Sequence, residues 1–173
     1  MLFKRKPKEE ASHEGRSPPG RGNLSAVDEA YAALRDDLGL YHLWYLDMRL
    51  REELARAARA DGVFSLAAWR PRLLPGEAFP DEVVAQAAQL ITQSLRSYDI
   101  IARIDEHRFA AVLLDAGYEA ASTVAFRLKG DLQVRVPSIG KWQAGVASFG
   151  RDGVDGEALI QAALRRLDED ARG

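Results

Sequence analysis

Two clusters in this 173-residue chain carry side chains suited to chemistry. The first is Arg96-Ser97-Tyr98-Asp99. An arginine fork gives two parallel hydrogen bonds to a phosphate or to the Hoogsteen edge of guanine, and it stacks on purines. An aspartate beside it can accept from the N1–H and exocyclic amine of the same base. The segment Ile100–Ile104 leads to the second cluster, Asp105-Glu106-His107-Arg108, followed by Phe109. Glu106 is a hard oxygen donor, but one carboxylate alone makes a poor Mg²⁺ site. The plain alternatives are a solvated polar turn for Asp105–Arg108, and for Asp99 a cap on the following strand, paired with Arg96 or Arg103. His42 stands on a turn with no partner in view, which fits a surface or capping residue better than a ligand or base.

The elements that must position these groups follow from hydrophobic spacing. Ile100–Ile104 and Phe109–Leu114 are apolar runs of strand length joined by four polar residues, a hairpin without the glycine that tight turns favour. Asp81–Ser97 reads as a helix opened by Pro80 and Asp81, with Val83, Ala87, Leu90, Ile91 and Leu95 inward. Tyr118–Leu132 is a second helix, with Ala121, Val124, Ala125 and Leu128 inward. Val63–Trp69 reads as a strand, and Pro71–Pro80, with three prolines, as a loop. Gly39 to Ala60 holds a helix with Leu43, Leu46, Leu50, Leu54 and Ala57 on one face. Val134–Val136 and Lys141–Phe149 read as a hairpin around Pro137–Gly140, and a last helix follows Asp155, lined by Leu159, Ile160, Ala163, Leu164 and Leu167. At the front, Ser25-x-x-Asp28 is similar to a capping box opening a helix to about Leu38, with Ala26, Ala30, Ala33 and Leu34 on one side and Gly39 as its breaker. The order of strand, helix, hairpin, helix, strand and helix predicts an α+β fold, a ferredoxin-like antiparallel sheet with packed helices.

Composition narrows the function classes. Cys is absent, so disulfides and thiolate metal sites are excluded. No apolar run approaches a membrane span, and the short Met1–Phe3 run leads to the expectation of a cytoplasmic protein. The formal charge of −2 is uneven: residues 1–22 hold six Lys or Arg against three Glu, leaving the rest near −5. No nucleic-acid partner is expected. The expected organisation is a flexible, solvated basic tail (1–23), whose Met-Leu-Phe and Lys-Arg-Lys would touch an anionic membrane surface or nucleic acid only weakly, a leading helix (24–38) and a domain (39–173).

The string Arg96-x-x-Asp99-x-x-x-Arg103-x-Asp105-Glu106-His107-Arg108-Phe109 resembles R-x-x-D-x-x-x-R-x-G-G-D-E-F, the signature of the GGDEF domains of diguanylate cyclases. Gly39–Ala60 is similar to the family's opening motif and first helix, and Trp142–Phe149 to its S-I-G-V-A strand. The resemblance spans about residues 36–173. It implies a GGDEF-type fold, and it implies lost chemistry. The family's Mg²⁺ aspartate at the end of the first strand is replaced by Trp69-Arg70-Pro71-Arg72, and the guanine-reading segment is shortened to Pro71–Pro80. Asp105-Glu106-His107-Arg108 fills the glycine and acid positions, and Ala171 takes the place of the phosphate-holding lysine.

What the resemblance retains is the inhibitory-type R-x-x-D site for cyclic di-GMP: Arg96, Asp99 and, on the next helix, Arg127. The resulting expectation is an inactive cyclase homologue without catalytic residues, metal or cofactor. It binds cyclic di-GMP through those three residues, passes the signal to a protein partner and allows a homodimer. The alternative is a ligand-free interaction or dimerisation module. A residual nucleotide enzyme built on His107 or Glu106 lacks a second ligand or base.

Overall fold

This computed structural model describes residues 21–73, 76–77, 79–136 and 141–171. Along them run α1 (Arg21–Ala33), β1 (Tyr41–His42), α2 (Leu43–Ala60), β2 (Phe64–Pro71), α3 (Asp81–Ser94), β3 (Ile100–Arg103), β4 (Phe109–Leu114), α4 (Tyr118–Arg135), β5 (Trp142–Ser148) and α5 (Gly156–Asp170). The five strands form one sheet in the order β1-β3-β4-β2-β5. The short β1 lies parallel to β3, and every other pairing is antiparallel. The α+β class expected from the sequence is what the chain adopts.

Side-chain alternation splits the core in two. Phe64, Leu66, Ala68, Ala110 and Val112 face α2 and α5, packing with Leu46, Leu50, Leu159 and Leu167. Ala67, Trp69, Phe109, Ala111 and Leu113 face α3 and α4, packing with Ala87, Ile91, Ala125 and Leu128. A sheet covered on both faces needs apolar residues at consecutive positions, so its strands read as runs rather than as alternation. Trp69 is fully buried, and its indole N–H donates to the Ala125 carbonyl (3.0 Å), which satisfies its one polar atom.

Several boundaries differ from the expectations. α1 begins at Arg21, so Ser25 lies inside it, and it ends at Ala33, well before Gly39. Gly39 instead takes φ +75° in the turn that follows. Ala26, Ala30 and Ala33 are exposed rather than seated on a neighbour. Residues 1–20 of the expected tail lie outside the described residues. α3 stops at Ser94, not Ser97, because Asp99 takes the Arg96 amide (3.0 Å) away from the helix. β2 runs past Trp69 to Pro71, which pairs with Trp142 of β5.

The expected hairpin from Val134 does not form. α4 continues to Arg135 and is capped by Val136. Leu128, Leu132 and Val136 recur at four-residue steps and are buried, so the helical stripe overrides the β-branched preference of Val134 and Val136. The turn Pro137–Gly140 lies outside the described residues.

β5 is an edge strand, and side chains cover its outer rim. Gln133 accepts from the Trp142 amide (2.9 Å), Asp170 from Ala144 (3.0 Å) and Asp152 from Ser148 (2.8 Å), while Arg166 donates to the Val146 carbonyl. Such cover keeps an exposed ladder from recruiting another strand. α5 sits very close to this strand: a Cβ on Gly145 would lie 2.1 Å from the Ala163 carbonyl oxygen.

Candidate functional site

The residues after α3 build a tight turn into β3. The Asp99 amide donates to the Arg96 carbonyl (3.1 Å). The Asp99 carboxylate accepts from the amides of Arg96 (3.0 Å) and Leu114 (3.2 Å), tying this turn to the end of β4. Asp99 therefore caps the turn through backbone amides, while the side-chain pairing with Arg96 or Arg103 that the plain reading expected is not found among the described residues. Each carboxylate oxygen keeps a second lone pair. Arg96 is exposed, donates to the Tyr98 hydroxyl (2.9 Å) and lies 5.7 Å from that ring's centroid.

Arg127 projects from α4 toward the same place, its guanidinium 3.5 Å from the Ser94 carbonyl. A concavity of about 270 Å³ opens there, lined by Arg96, Asp99 and Arg127 together with Ser94, Leu95, Leu113, Leu114, Asp115, Ala116, Ala120 and Val124. Arg127, about thirty residues further along the chain, thus shares one wall with the neighbouring Arg96 and Asp99. Two arginines and two aspartates line the concavity together with the apolar Leu95, Leu113, Leu114, Ala116, Ala120 and Val124. That arrangement suits a ligand offering both anionic oxygens and N–H donors on a flat ring, as a guanine nucleotide does, better than a simple anion. Asp115 is the member that sequence reasoning missed. It holds φ +51° just after β4, and no local pattern announces that.

The second cluster lies at the other end of the hairpin, roughly 16 Å away along β3 at the usual strand rise. Its turn is closed by Asp105 rather than by glycine. The Asp105 carboxylate accepts from the amides of His107 (3.2 Å) and Arg108 (2.9 Å) and from Arg108 Nε (2.6 Å). Arg103 braces it from below, donating to the carbonyls of Asp105 and Glu106 (3.0 Å each). No residue of this turn needs positive φ. Burial raises the Asp105 pKa, but the Arg108 side chain and the two amides outweigh it, and the net shift is downward. Glu106 is exposed, and Phe109 is wholly buried in the core rather than at a site.

Beside this turn, the half-buried Arg70 on β2 is engaged within the chain. It donates to Gln143 (2.6 Å) and to Asp168 of α5 (2.5 Å). Arg72 donates to the Ala171 carbonyl (3.1 Å). Among the described residues, no three His, Asp or Glu side chains gather as a metal-holding group. His42 precedes α2 and makes no side-chain cap bond. No helix of the described residues is long and apolar enough to cross a membrane.

The profile of the family described as "Diguanylate cyclase, GGDEF domain" matches residues 74–171. Solved structures share the fold. The diguanylate cyclase SiaD of Pseudomonas aeruginosa, in complex with its activator SiaC, is 23% identical with a TM-score of 0.72. The match covers 87% of this chain, which spans only 63% of that one. The coiled coil and GGDEF domain of DgcB from Caulobacter crescentus, in complex with c-di-GMP, is 17% identical with a TM-score of 0.76, covering 88% of each chain. The FimX GGDEF domain of Pseudomonas aeruginosa is 20% identical with a TM-score of 0.71, covering 80% of this chain and 94% of that one. At such identities the likeness is one of fold. No curated protein matches the chain.

Proposed function

The chain belongs to the GGDEF domain family of diguanylate cyclases, and from that premise we propose that it is an inactive member that binds cyclic di-GMP at Arg96, Asp99 and Arg127 and relays it to a protein partner. The observation that carries this reading is the convergence of those three side chains on one concavity of about 270 Å³. An arginine there takes the O6/N7 edge of guanine or a phosphate, while Asp99 uses its remaining lone pairs on the base N–H groups.

The loss of cyclase chemistry is supported at the opposite end of the hairpin. The strand end Trp69-Arg70-Pro71-Arg72, where the resemblance implies the family's metal-binding aspartate, offers Arg70, a cation paired with Asp168, and a guanidinium cannot ligate a divalent ion. Asp105 stands where the resemblance implies a glycine that lets the backbone approach phosphates, and its carboxylate is engaged in closing its own turn. Relatives lend support in kind: the DgcB structure holds c-di-GMP and the SiaD structure holds a protein activator.

Isothermal titration with cyclic di-GMP tests the reading. Binding by the wild-type chain that Arg96→Ala abolishes supports it. Binding that survives Arg96→Ala moves the ligand elsewhere, and turnover of GTP with Mg²⁺ or Mn²⁺ overturns the inactive assignment.

A second reading is a ligand-free docking or dimerising module in the cytoplasm. One observation favours it: Leu43, Trp44 and Met48 at the start of α2 are all exposed, Trp44 to 54%. Exposed clustered apolar side chains mark interaction surfaces. Absence of nucleotide binding together with a stable dimer by light scattering would select it.

A further inference from the structure

Arg96 and Asp99 face two concavities, not one. Besides the space shared with Arg127, they line a smaller groove of about 110 Å³ whose other walls include Arg35, Tyr41, Thr92 and Ser97. This groove is the smaller of the two, and the guanidinium groups on its walls suit a phosphate oxygen. We propose that Arg35 is an additional cationic arm of the cyclic dinucleotide site, so that a bound ligand ties the root of α1 to the Arg96–Asp99 turn. The inference rests on the reading above and extends it from binding to regulation.

Arg35 is already held at the groove. Its guanidinium lies 4.0 Å over the Tyr41 ring, and its NH1 donates to the Gly39 carbonyl (2.5 Å). Tyr41 in turn stacks on Tyr45 at 4.3 Å. Stacking fixes the plane of the guanidinium, and one bond uses one of its five donors, so the rest of the fork is free for a phosphodiester oxygen. A cyclic dinucleotide carries two phosphodiesters in one ring. In the proposed pose one guanine and its phosphate lie beside Arg127, and the second phosphate lies in the groove that Arg35 lines with Arg96.

The placement of Arg35 makes the contact consequential. The turn that carries it is rigid: Asp36 accepts from the amides of Leu38 (3.0 Å) and Leu40 (2.9 Å), and Leu40 is buried in the core. The His42 amide donates to Leu34 (3.1 Å), one residue before Arg35. α1, immediately upstream, is exposed from Asp28 to Ala33. A helical stretch exposed in this way is marginal in water, so its order responds to whatever is fixed at its root. Arg35 is the charged residue that joins the pocket to this helix.

Titration of cyclic di-GMP into the full chain and its variants provides the test, with hydrogen exchange as a second readout. Arg35→Gln keeps a donor for the Gly39 carbonyl but loses the charge; it is expected to weaken binding about tenfold while apo melting stays within about 2 °C. Arg35→Lys, which restores a point charge without the fork, is expected to recover part of that loss and serves if Arg35→Gln does not fold. Ligand is expected to slow amide exchange in residues 34–40 and α1 of wild type, and not in Arg35→Gln. Affinity unchanged in Arg35→Gln yet lost in Arg96→Ala overturns this inference alone. No slowing of exchange in ligand-saturated wild type also overturns it alone. No binding by wild type removes the site and the inference together.

Discussion

A methyl group on Gly145 tests how closely α5 is seated on the sheet. The added Cβ would lie 2.1 Å from the Ala163 carbonyl oxygen and 2.7 Å from the Leu167 amide nitrogen, against 3.4 Å for ordinary contact. Both obstacles are backbone, so no rotamer change relieves them, and α5 must retreat by about 1.3 Å. A gap of about 1 Å forfeits up to half of each dispersion contact along the face. The face in question is Leu159, Ala162, Ala163 and Leu167, none more than 4% exposed. Overpacking ordinarily costs about 1–3 kcal/mol, and a backbone-on-backbone clash belongs at the top, near 3 kcal/mol. At this chain length that is a fall in melting temperature of roughly 6–12 °C.

The assay is equilibrium urea unfolding with the m-value checked, because a changed m would signal an altered denatured or native state. Gly130→Ala in α4 is the internal control. Nothing lies within 4 Å of a Cβ there, so the same chemical change is expected to stabilise by about 0.5–1 kcal/mol through helix propensity. A Gly145→Ala loss below about 1 kcal/mol at constant m would refute the packing argument.

Asp152→Ala removes the Arg166 pair (2.7 and 2.9 Å) and the cap on the Ser148 amide (2.8 Å). Arg166 stays partly solvated, so the expected cost is about 2–3 kcal/mol by chemical denaturation. Asp152 is held below the ordinary aspartate value of 3.8 chiefly by the Arg166 hydrogen bond, and Asp105 is also lowered, its bonds to Arg108 and the turn amides outweighing burial. With the folded values depressed, this stability is fully present above the unfolded value and drains as pH falls from about 4 through the lower folded ones. Acid unfolding should be shallower in Asp152→Asn, and an unchanged profile would count against the pair. Asp99→Asn leaves one carbonyl oxygen for two backbone amides. It should cost the apo protein about 1 kcal/mol in thermal or urea unfolding and weaken cyclic di-GMP by more than tenfold in titration; equal affinity would reduce Asp99 to its capping role.

What the sequence determined by itself is local. Apolar runs and four-residue stripes placed β2, α3, the β3–β4 hairpin, α4 and α5, because each of these buries a contiguous face that its own residues encode. The spacing of Arg96, Asp99, Arg103 and Phe109, and the family they resemble, were legible for the same reason. Tertiary structure decided the rest. Val134 and Val136 prefer strands, yet the buried register of Leu128, Leu132 and Val136 kept them in or at the end of α4. A strand as short as β1 exists only because β3 offers a parallel edge to Tyr41 and His42. Asp115 and Arg35 reach the Arg96–Asp99 neighbourhood because β4 runs beside β3 and because the turn after α1 folds back onto β1. Contacts between distant segments depend on how elements pack, and no spacing along the chain encodes them. The wall shared by Arg96, Asp99 and Arg127 was foreseeable only by resemblance, and its second face beside Arg35 only from the fold.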